Sequence, residues 1–370
     1  MIPMDPKTIS KNIDRTLKTA KLFDVFWERW LVHGVDHDDV SNARLHMDSA
    51  KEWKNTWERL AEEKMNTGKG HETRLDYPAA ETAYKQASLY YYLNYWLDPM
   101  HSPEKAGWYK KCQQAMKQAD SISNIPTIYK EIVLPDHSIC SGRIRLPDDP
   151  VGVIISVNPI DSSKEELYQY EMDFAEKGFI TLSFDGPGQG DTFLSNGVIG
   201  TRQNWAYFID RLIDYAEETY GEFPLYLFGT SMAASWVLYG SSNRKVSKAV
   251  AVSPAVEIDR MNIPAYFLQR MKCSCVYDMK SEEETERLFP RFDTIQYHSP
   301  LLVFHGNKDT MISDGEMHRL FNRISSEKYL IEFEDQGHVC NHKLEEIRQI
   351  SMAWFSGELK MKEELTYERE

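Results

Sequence analysis

No stretch of this sequence stays apolar for the ~20 residues needed to span a bilayer. The opening MIPMDPKTISKNIDRTLK has no apolar core of the kind a secretory signal requires. Cysteine is scarce: five residues, at 112, 140, 273, 275 and 340. An odd, scattered set excludes a disulfide framework, and a lone C-x-C at 273–275 is not a zinc site. The expectation is reduced thiols in a cytoplasmic protein. Positive charge is also short, with 43 Lys and Arg against 57 Asp and Glu. A net charge of -14 repels nucleic acid and anionic membranes, so neither is expected as a partner. His33 and His37 lie among aspartates in HGVDHDD, yet no second ligand cluster accompanies them. That segment reads as a polar loop between helices, punctuated by Gly34.

What is present is a change of period along 370 residues, enough for one large domain and an accessory unit. Up to about residue 125 the pattern is helical. Ile13, Leu17, Phe23, Phe26, Trp27 and Trp30 fall on one face, and Trp53, Trp57, Leu60 and Ala61 repeat the stripe. Further helices are expected over about 80–97, including LYYYLNYWL, and 103–119. The aromatic stripes read as packing surface, with the lining of a substrate pocket as the rival. YKEIVLP and ICSGRIRLP then predict an antiparallel hairpin turning at Asp136-His137. From Val151 onward, VGVIISV, FITLSF, PLYLFG, VSKAVAVS, PLLVFHG and KYLIEFE are short apolar runs separated by helical stretches. Such runs are strands buried on both faces, which predicts an α/β fold with a mostly parallel sheet. The boundaries follow: a helical region over 1–125, a catalytic domain over 126–357 and a charged tail over 358–370. Residues 257–297 break the alternation and read as an inserted cap.

In such a sheet, chemistry collects after the C-terminal ends of the strands. After PLYLF comes Gly229-Thr230-Ser231-Met232-Ala233, a sharp turn that would raise Ser231 above the sheet. Ala233 stands where a second glycine is usual. After PLLVF comes Asp309, and after KYLIEFE comes His338. A serine hydroxyl needs an imidazole to take its proton, and the imidazole needs a carboxylate to orient it. Ser231, His338 and Asp309 are therefore the candidate nucleophile, base and acid. His342, His305 and Asp314 are weaker rivals: a helix-start residue, a strand-end packing residue and another helix start. An oxyanion would be held by the N-H of Met232 and by a second N-H from Asn158 to Glu166. Pro159 has none to give, which leaves Ile160 or Asp161; Asp161 and Ser162 could equally cap the next helix. Glu257 lies at the same end of the sheet and reads either as a proton donor to a leaving group or as an exposed cap residue.

NPIDSSKEE at 158–166, FDGPGQG at 184–190, GTSMA at 229–233 and DQGHVCNH at 335–342 together resemble the FrsA-like α/β-hydrolases. Within them the chain is similar to the 2,6-dihydroxypseudooxynicotine hydrolase type and to fungal polyketide-shortening hydrolases. The resemblance runs from about 75 to 355 and takes in AETAYKQASLYY at 80–91. It implies an α/β-hydrolase fold with a helical N-terminal cap, no cofactor, and frequent dimerisation. It also implies cleavage of an ester or of a carbon–carbon bond in a 1,3-dicarbonyl compound, with a small acyl substrate as partner. Its triad falls on Ser231, Asp309 and His338. The family's Gly-Gly at the head of the oxyanion loop is Asn158-Pro159 here, and FDGPGQG, with Asp185, is mainly architectural. The alternatives are acyl transfer by the same triad, or a silent hydrolase fold that only binds.

Overall fold

The computed structural model describes residues 6–256, 260–274 and 288–360. The first helical stripe is interrupted: α1 (Pro6–Leu22) stops, and α2 (Val25–Val32) begins three residues on. The indole of Trp27 donates to the carbonyl of Ala20 at 2.7 Å, so α2 folds back on α1 instead of continuing it. α3 (His37–Ala43), α4 (Ala50–Thr73), α5 (Tyr77–Leu97) and α6 (Pro103–Ile122) follow. Each begins on a side-chain cap, Asp36, Ser49, Asp76 and Ser102 respectively, that accepts from N-H groups of the first turn. α5 is buried on nearly every side and lies between α4 and α6. Trp27, Trp30, Trp53, Trp57, Tyr90 and Tyr92 fill one core in this layer, which is the packing use of the aromatic stripe.

Among the described residues eight strands form one sheet, in the order β1-β2-β4-β3-β5-β6-β7-β8. They are β1 (Thr127–Val133), β2 (Ile139–Arg145), β3 (Gly152–Val157), β4 (Phe179–Phe184), β5 (Leu225–Thr230), β6 (Val246–Val252), β7 (Leu301–Gly306) and β8 (Lys328–Phe333). β1 and β2 form the antiparallel hairpin, β2 joins β4 antiparallel, and the remainder is parallel. Helices cover both faces, as the unbroken apolar strands require. α7 (Tyr168–Glu176) lies on one face and α8 (Gly190–Leu194) follows β4; α9 (Arg202–Tyr220) and α10 (Met232–Gly240) lie on the other face. α11 (Ala265–Ser274), α12 (Asp314–Arg323) and α13 (Leu344–Ser356) complete the order. Ile155, Leu227 and Ala251 pack with α9 and α10, while Ile154, Phe228 and Val250 pack with α7 and α13. The alternation along each strand therefore serves two cores, not one core and solvent.

The helical layer is joined to the sheet by buried ion pairs. Arg143 on β2 places Nε and Nη2 each 2.7 Å from the Glu171 carboxylate of α7. Arg145 reaches the same carboxylate at 3.1 Å and Asp120 of α6 at 2.9 Å. All four residues are enclosed, and breaking one partner of such a set costs about 3–5 kcal/mol. No described helix is long and apolar enough to cross a membrane. Of the expected cap at 257–297, α11 and residues 288–297 are seen, while Glu257 lies outside the described residues. Most of the expected charged tail, from residue 361, also lies outside them.

Candidate active site

The residues that follow β3, β5, β6, β7 and β8 gather above the C-terminal edge of the sheet. The backbone there is held in unusual conformations. Among the described residues seven non-glycine residues have positive φ, and five of them (Asp161, Ser231, Ser253, Val339 and Cys340) are in these loops. Each such residue stores about 1–3 kcal/mol, which persists only where the surroundings over-determine it. Ser231 adopts φ 56 and ψ -126 between β5 and α10. Gly229 makes that turn possible, because a Cβ there would stand 3.0 Å from the carbonyl carbon and oxygen of Ala233. Ala233 itself is fully buried in the elbow.

Ser231 Oγ lies 2.8 Å from His338 Nε2, and His338 Nδ1 lies 2.7 Å from Asp309 Oδ2. The other oxygen of Asp309 accepts from the N-H groups of Met311, at 2.8 Å, and Ile312, at 3.0 Å. Burial pushes the Asp309 pKa up. The hydrogen bond and charge of His338, with those two N-H groups, outweigh it and hold the carboxyl below its usual range. The three residues that the sequence singles out are thus in one hydrogen-bonded line. The rivals are placed elsewhere. His305 is buried and pairs with Asp314, the first residue of α12, at 2.9 Å. His342 is exposed, 3.3 Å from Glu28.

Met232 opens α10, so its N-H has no acceptor within the helix. Opposite it stands the 158–166 loop. The expectation that Asp161 or Ser162 caps a following helix is not met, since α7 starts only at Tyr168 with Leu167 before it. Instead the Asp161 carboxylate accepts from Trp96 Nε1 at 2.7 Å and Arg270 Nε at 3.0 Å, and Ser162 Oγ donates to Glu166 at 2.9 Å. Asn158 and Pro159, which replace two glycines, are tied down by Gln189 of the FDGPGQG loop. Its amide donates to the carbonyls of Asn158 at 3.1 Å and Pro159 at 2.7 Å, while its oxygen accepts from Gly186 N-H. Sequence reasoning missed Gln189; its only signal was the resemblance of that loop.

The charged end of the loop is fully enclosed, a second feature missed from sequence. Asp185 accepts from Lys164 Nζ at 2.6 Å, from Lys164 N-H at 2.9 Å and from Tyr109 OH at 3.0 Å. Tyr109 also reaches Glu165 at 2.5 Å. Burial and the nearby Glu165 push the Asp185 carboxyl up against the pull of Lys164, whose charge, with that of Arg143, holds Glu165 down. Glu166 receives Arg29 Nε at 2.6 Å and Nη2 at 2.8 Å, and His33 Nδ1 lies 3.0 Å away. Burial raises the Glu166 pKa, but the charge of Arg29 and the bonds from His33 and Arg29 take it down to about 2. His33 lies in the turn that joins α2 to α3, as the sequence reading placed it, but it is buried there, and burial lowers its pKa despite Glu166. His37, its neighbour in HGVDHDD, starts α3.

A cavity of about 420 Å³ opens onto Ser231, Met232 and His338. Pro159, Ile160, Met261, Ile263, Phe267 and Phe289 make most of its wall apolar, and α2 contributes Val25, Arg29 and His33. The aromatic stripe of the N-terminal helices stays in its own core, against the pocket-lining alternative. That layer leaves Phe23 and Tyr77 exposed.

No family model matches the chain. It is 26% identical over 222 residues to 2,6-dihydropseudooxynicotine hydrolase of Paenarthrobacter nicotinovorans, covering 57% of each protein. It is 28% identical over 155 residues to 20-hydroxy-prefusarin hydrolase of Gibberella moniliformis, covering 38% of this chain and 35% of that one. The chain thus spans little more than half, or less, of the length of these curated relatives. Among solved structures, that of 2,6-dihydroxy-pseudo-oxynicotine hydrolase superposes with a TM-score of 0.75 at 18% identity, over 89% of this chain and 95% of that one. The structure of AbyA5 gives 0.65 at 15% identity, over 90% and 95%. Strand order, antiparallel first hairpin and these neighbours together make this an α/β-hydrolase fold. In sequence and in fold the chain is similar to 2,6-dihydroxy-pseudo-oxynicotine hydrolase, and its fold is that of the α/β-hydrolases.

Proposed function

We propose that the protein is a serine hydrolase that opens an ester, or a carbon–carbon bond of a 1,3-dicarbonyl compound, through an acyl-enzyme. The observation that carries this reading is the continuous line Ser231 Oγ, His338, Asp309, at 2.8 and 2.7 Å, facing a mostly apolar cavity. Ser231 Oγ attacks the carbonyl carbon while His338 Nε2 takes its proton, and Asp309 holds the tautomer and the imidazolium that forms. The tetrahedral oxyanion is met by the Met232 N-H and, in this reading, by that of Ile160. The carbonyl of Pro159 belongs to the same planar peptide as the Ile160 N-H and is bound to Gln189, which sends that N-H the opposite way. Collapse returns the proton from His338 to the leaving alkoxide or enolate, and water, activated in the same way, releases the acid. The resemblance supports polyketide-like or aromatic ketone substrates, and the relatives are named as hydrolases of 2,6-dihydropseudooxynicotine and 20-hydroxy-prefusarin.

A fluorophosphonate probe should label the folded protein stoichiometrically on Ser231, and a panel of p-nitrophenyl esters and 1,3-diketones should give turnover. Ser231→Ala should remove labelling and lower any turnover by roughly 10⁴-fold or more. Unlabelled, inactive wild type, or a fully active Ser231→Ala variant, would sink the assignment. Acyl transfer would show as a new ester or amide product when an acceptor alcohol or amine is added. The boundaries at 125 and 357 stay part of this reading, with a cytoplasmic location argued from the scattered cysteines and a homodimer supported by the resemblance alone; light scattering on the purified protein decides the last.

A further inference from the structure

Arg29 is the one cavity-lining residue, among those described, with a permanent charge. It comes from α2, over 200 residues before Ser231 in sequence, and its side chain is 28% exposed beside a fully enclosed Glu166 carboxylate. The planar guanidinium carries five N-H donors. Nε and one hydrogen of Nη2 face Glu166, and Nη2 also reaches the carbonyl of Asp161 at 2.9 Å. The two hydrogens of Nη1 have no partner among the described residues, and Nη1 is not sealed from solvent. Stacking of the same group over Trp30 and Trp96, at 4.9 and 5.8 Å, limits its swing. His33 cannot substitute as a cation at neutral pH, because burial lowers its pKa. A charge held in an apolar chamber, oriented from behind, with one edge unused, is a receptor for an anionic oxygen.

We propose that Arg29 Nη1 binds an anionic oxygen group on the substrate, a carboxylate or the enolate of a 1,3-dicarbonyl, remote from the carbonyl that Ser231 attacks. This deepens the hydrolase reading, on which it rests for the position of the scissile carbonyl. Glu166 and the Asp161 carbonyl are then the orienting partners, and the apolar wall takes the rest of the molecule. Neutral esters lacking the anion forgo this contact.

The test measures binding to the Ser231→Ala protein, so that it does not depend on turnover. Monomethyl adipate is compared with dimethyl adipate, and the enolate of 5,5-dimethylcyclohexane-1,3-dione with its neutral enol methyl ether. Hydrogen bonds to charged groups contribute enough for a roughly tenfold or greater preference for each anion over its neutral counterpart. A preference in only one pair identifies which anion the site takes. Adding Arg29→Met together with Glu166→Gln removes both members of the pair without leaving a buried charge alone, and thermal melting checks that this variant folds. The ratio should then collapse to near unity. General damage would weaken both members of a pair and leave the ratio, so a preserved ratio overturns the proposal, as does the absence of any preference in the Ser231→Ala protein. If the preference is present but wild type neither labels nor turns over, the anion site stands and the hydrolase reading falls.

Discussion

At the residue scale, the candidate chemistry depends on groups that hold other groups still. Asp309 spends one oxygen on His338 and the other on two backbone N-H groups, which leaves its carboxylate no freedom to rotate. Gln189 does the same for the loop opposite, where Asn158-Pro159 takes the place of two glycines. Replacing Gln189 with Leu should free the Pro159–Ile160 peptide to turn. The expected result is a kcat lower by roughly 10–100-fold with little change in KM, because an oxyanion donor acts mainly in the transition state. Steady-state kinetics on whichever substrate the screen yields would check it, and a change confined to KM would remove Ile160 from the role. Ser231, Asp309 and His338 were legible from sequence because each follows its own apolar run in order. Gln189 was not, since nothing in GPGQG announces carbonyls 30 residues earlier.

At the element scale, strands place the loops and close backbone packing sets their spacing. Gly306 closes β7, and a Cβ there would stand 2.4 Å from the carbonyl oxygen of Gln336 and 2.5 Å from that of Gly337. Those carbonyls belong to the turn leading into His338, and backbone cannot step aside as a flexible side chain does. Gly306→Ala should therefore push the Asp309 and His338 loops apart. A misplacement of about 1 Å is enough for a rate loss of the order of 10²-fold. The measurement is kcat/KM alongside a melting curve; unchanged activity would show that the two loops tolerate the displacement. The strands and most helices of the sheet domain were legible from period alone. The break between α1 and α2 was not, because the Trp27 indole that folds α2 back bonds a carbonyl seven residues away. Nor was the delayed start of α7, whose apparent first turn is instead the enclosed 158–166 loop.

At the scale of the whole molecule, the N-terminal helices complete the site. Glu166 of the sheet domain is paired by Arg29 and His33 from α2, Glu165 and Asp185 by Tyr109 from α6, and Glu171 lies behind a set shared with Asp120 of α6. This joint makes stability depend on acid. The folded pKa of Glu166 is about 2, below the 4.5 of the free group. Its contribution is thus fully present above about pH 4.5 and is lost as pH falls toward and through 2. Glu166→Gln should flatten the pH dependence of the unfolding free energy across that window by roughly 2–3 kcal/mol. Urea titrations at several pH values would measure it, and an unchanged slope would mean that other carboxylates dominate.

The sequence by itself determined the fold class, the order of the strands along the chain and the three residues now in line above the sheet. These depend on local period and on position after an apolar run, and both survive without knowledge of distant partners. Only the tertiary structure decided what the charges in KEE and the polar groups of HGVDHDD do, because burial and pairing arise between residues 21 to 137 apart. It also decided why residue 229 is glycine: a Cβ there would crowd the backbone carbonyl of Ala233 across the turn. The cavity wall is a tertiary matter too, since α2, the loop after β3 and the segment around α11 meet only in the folded chain.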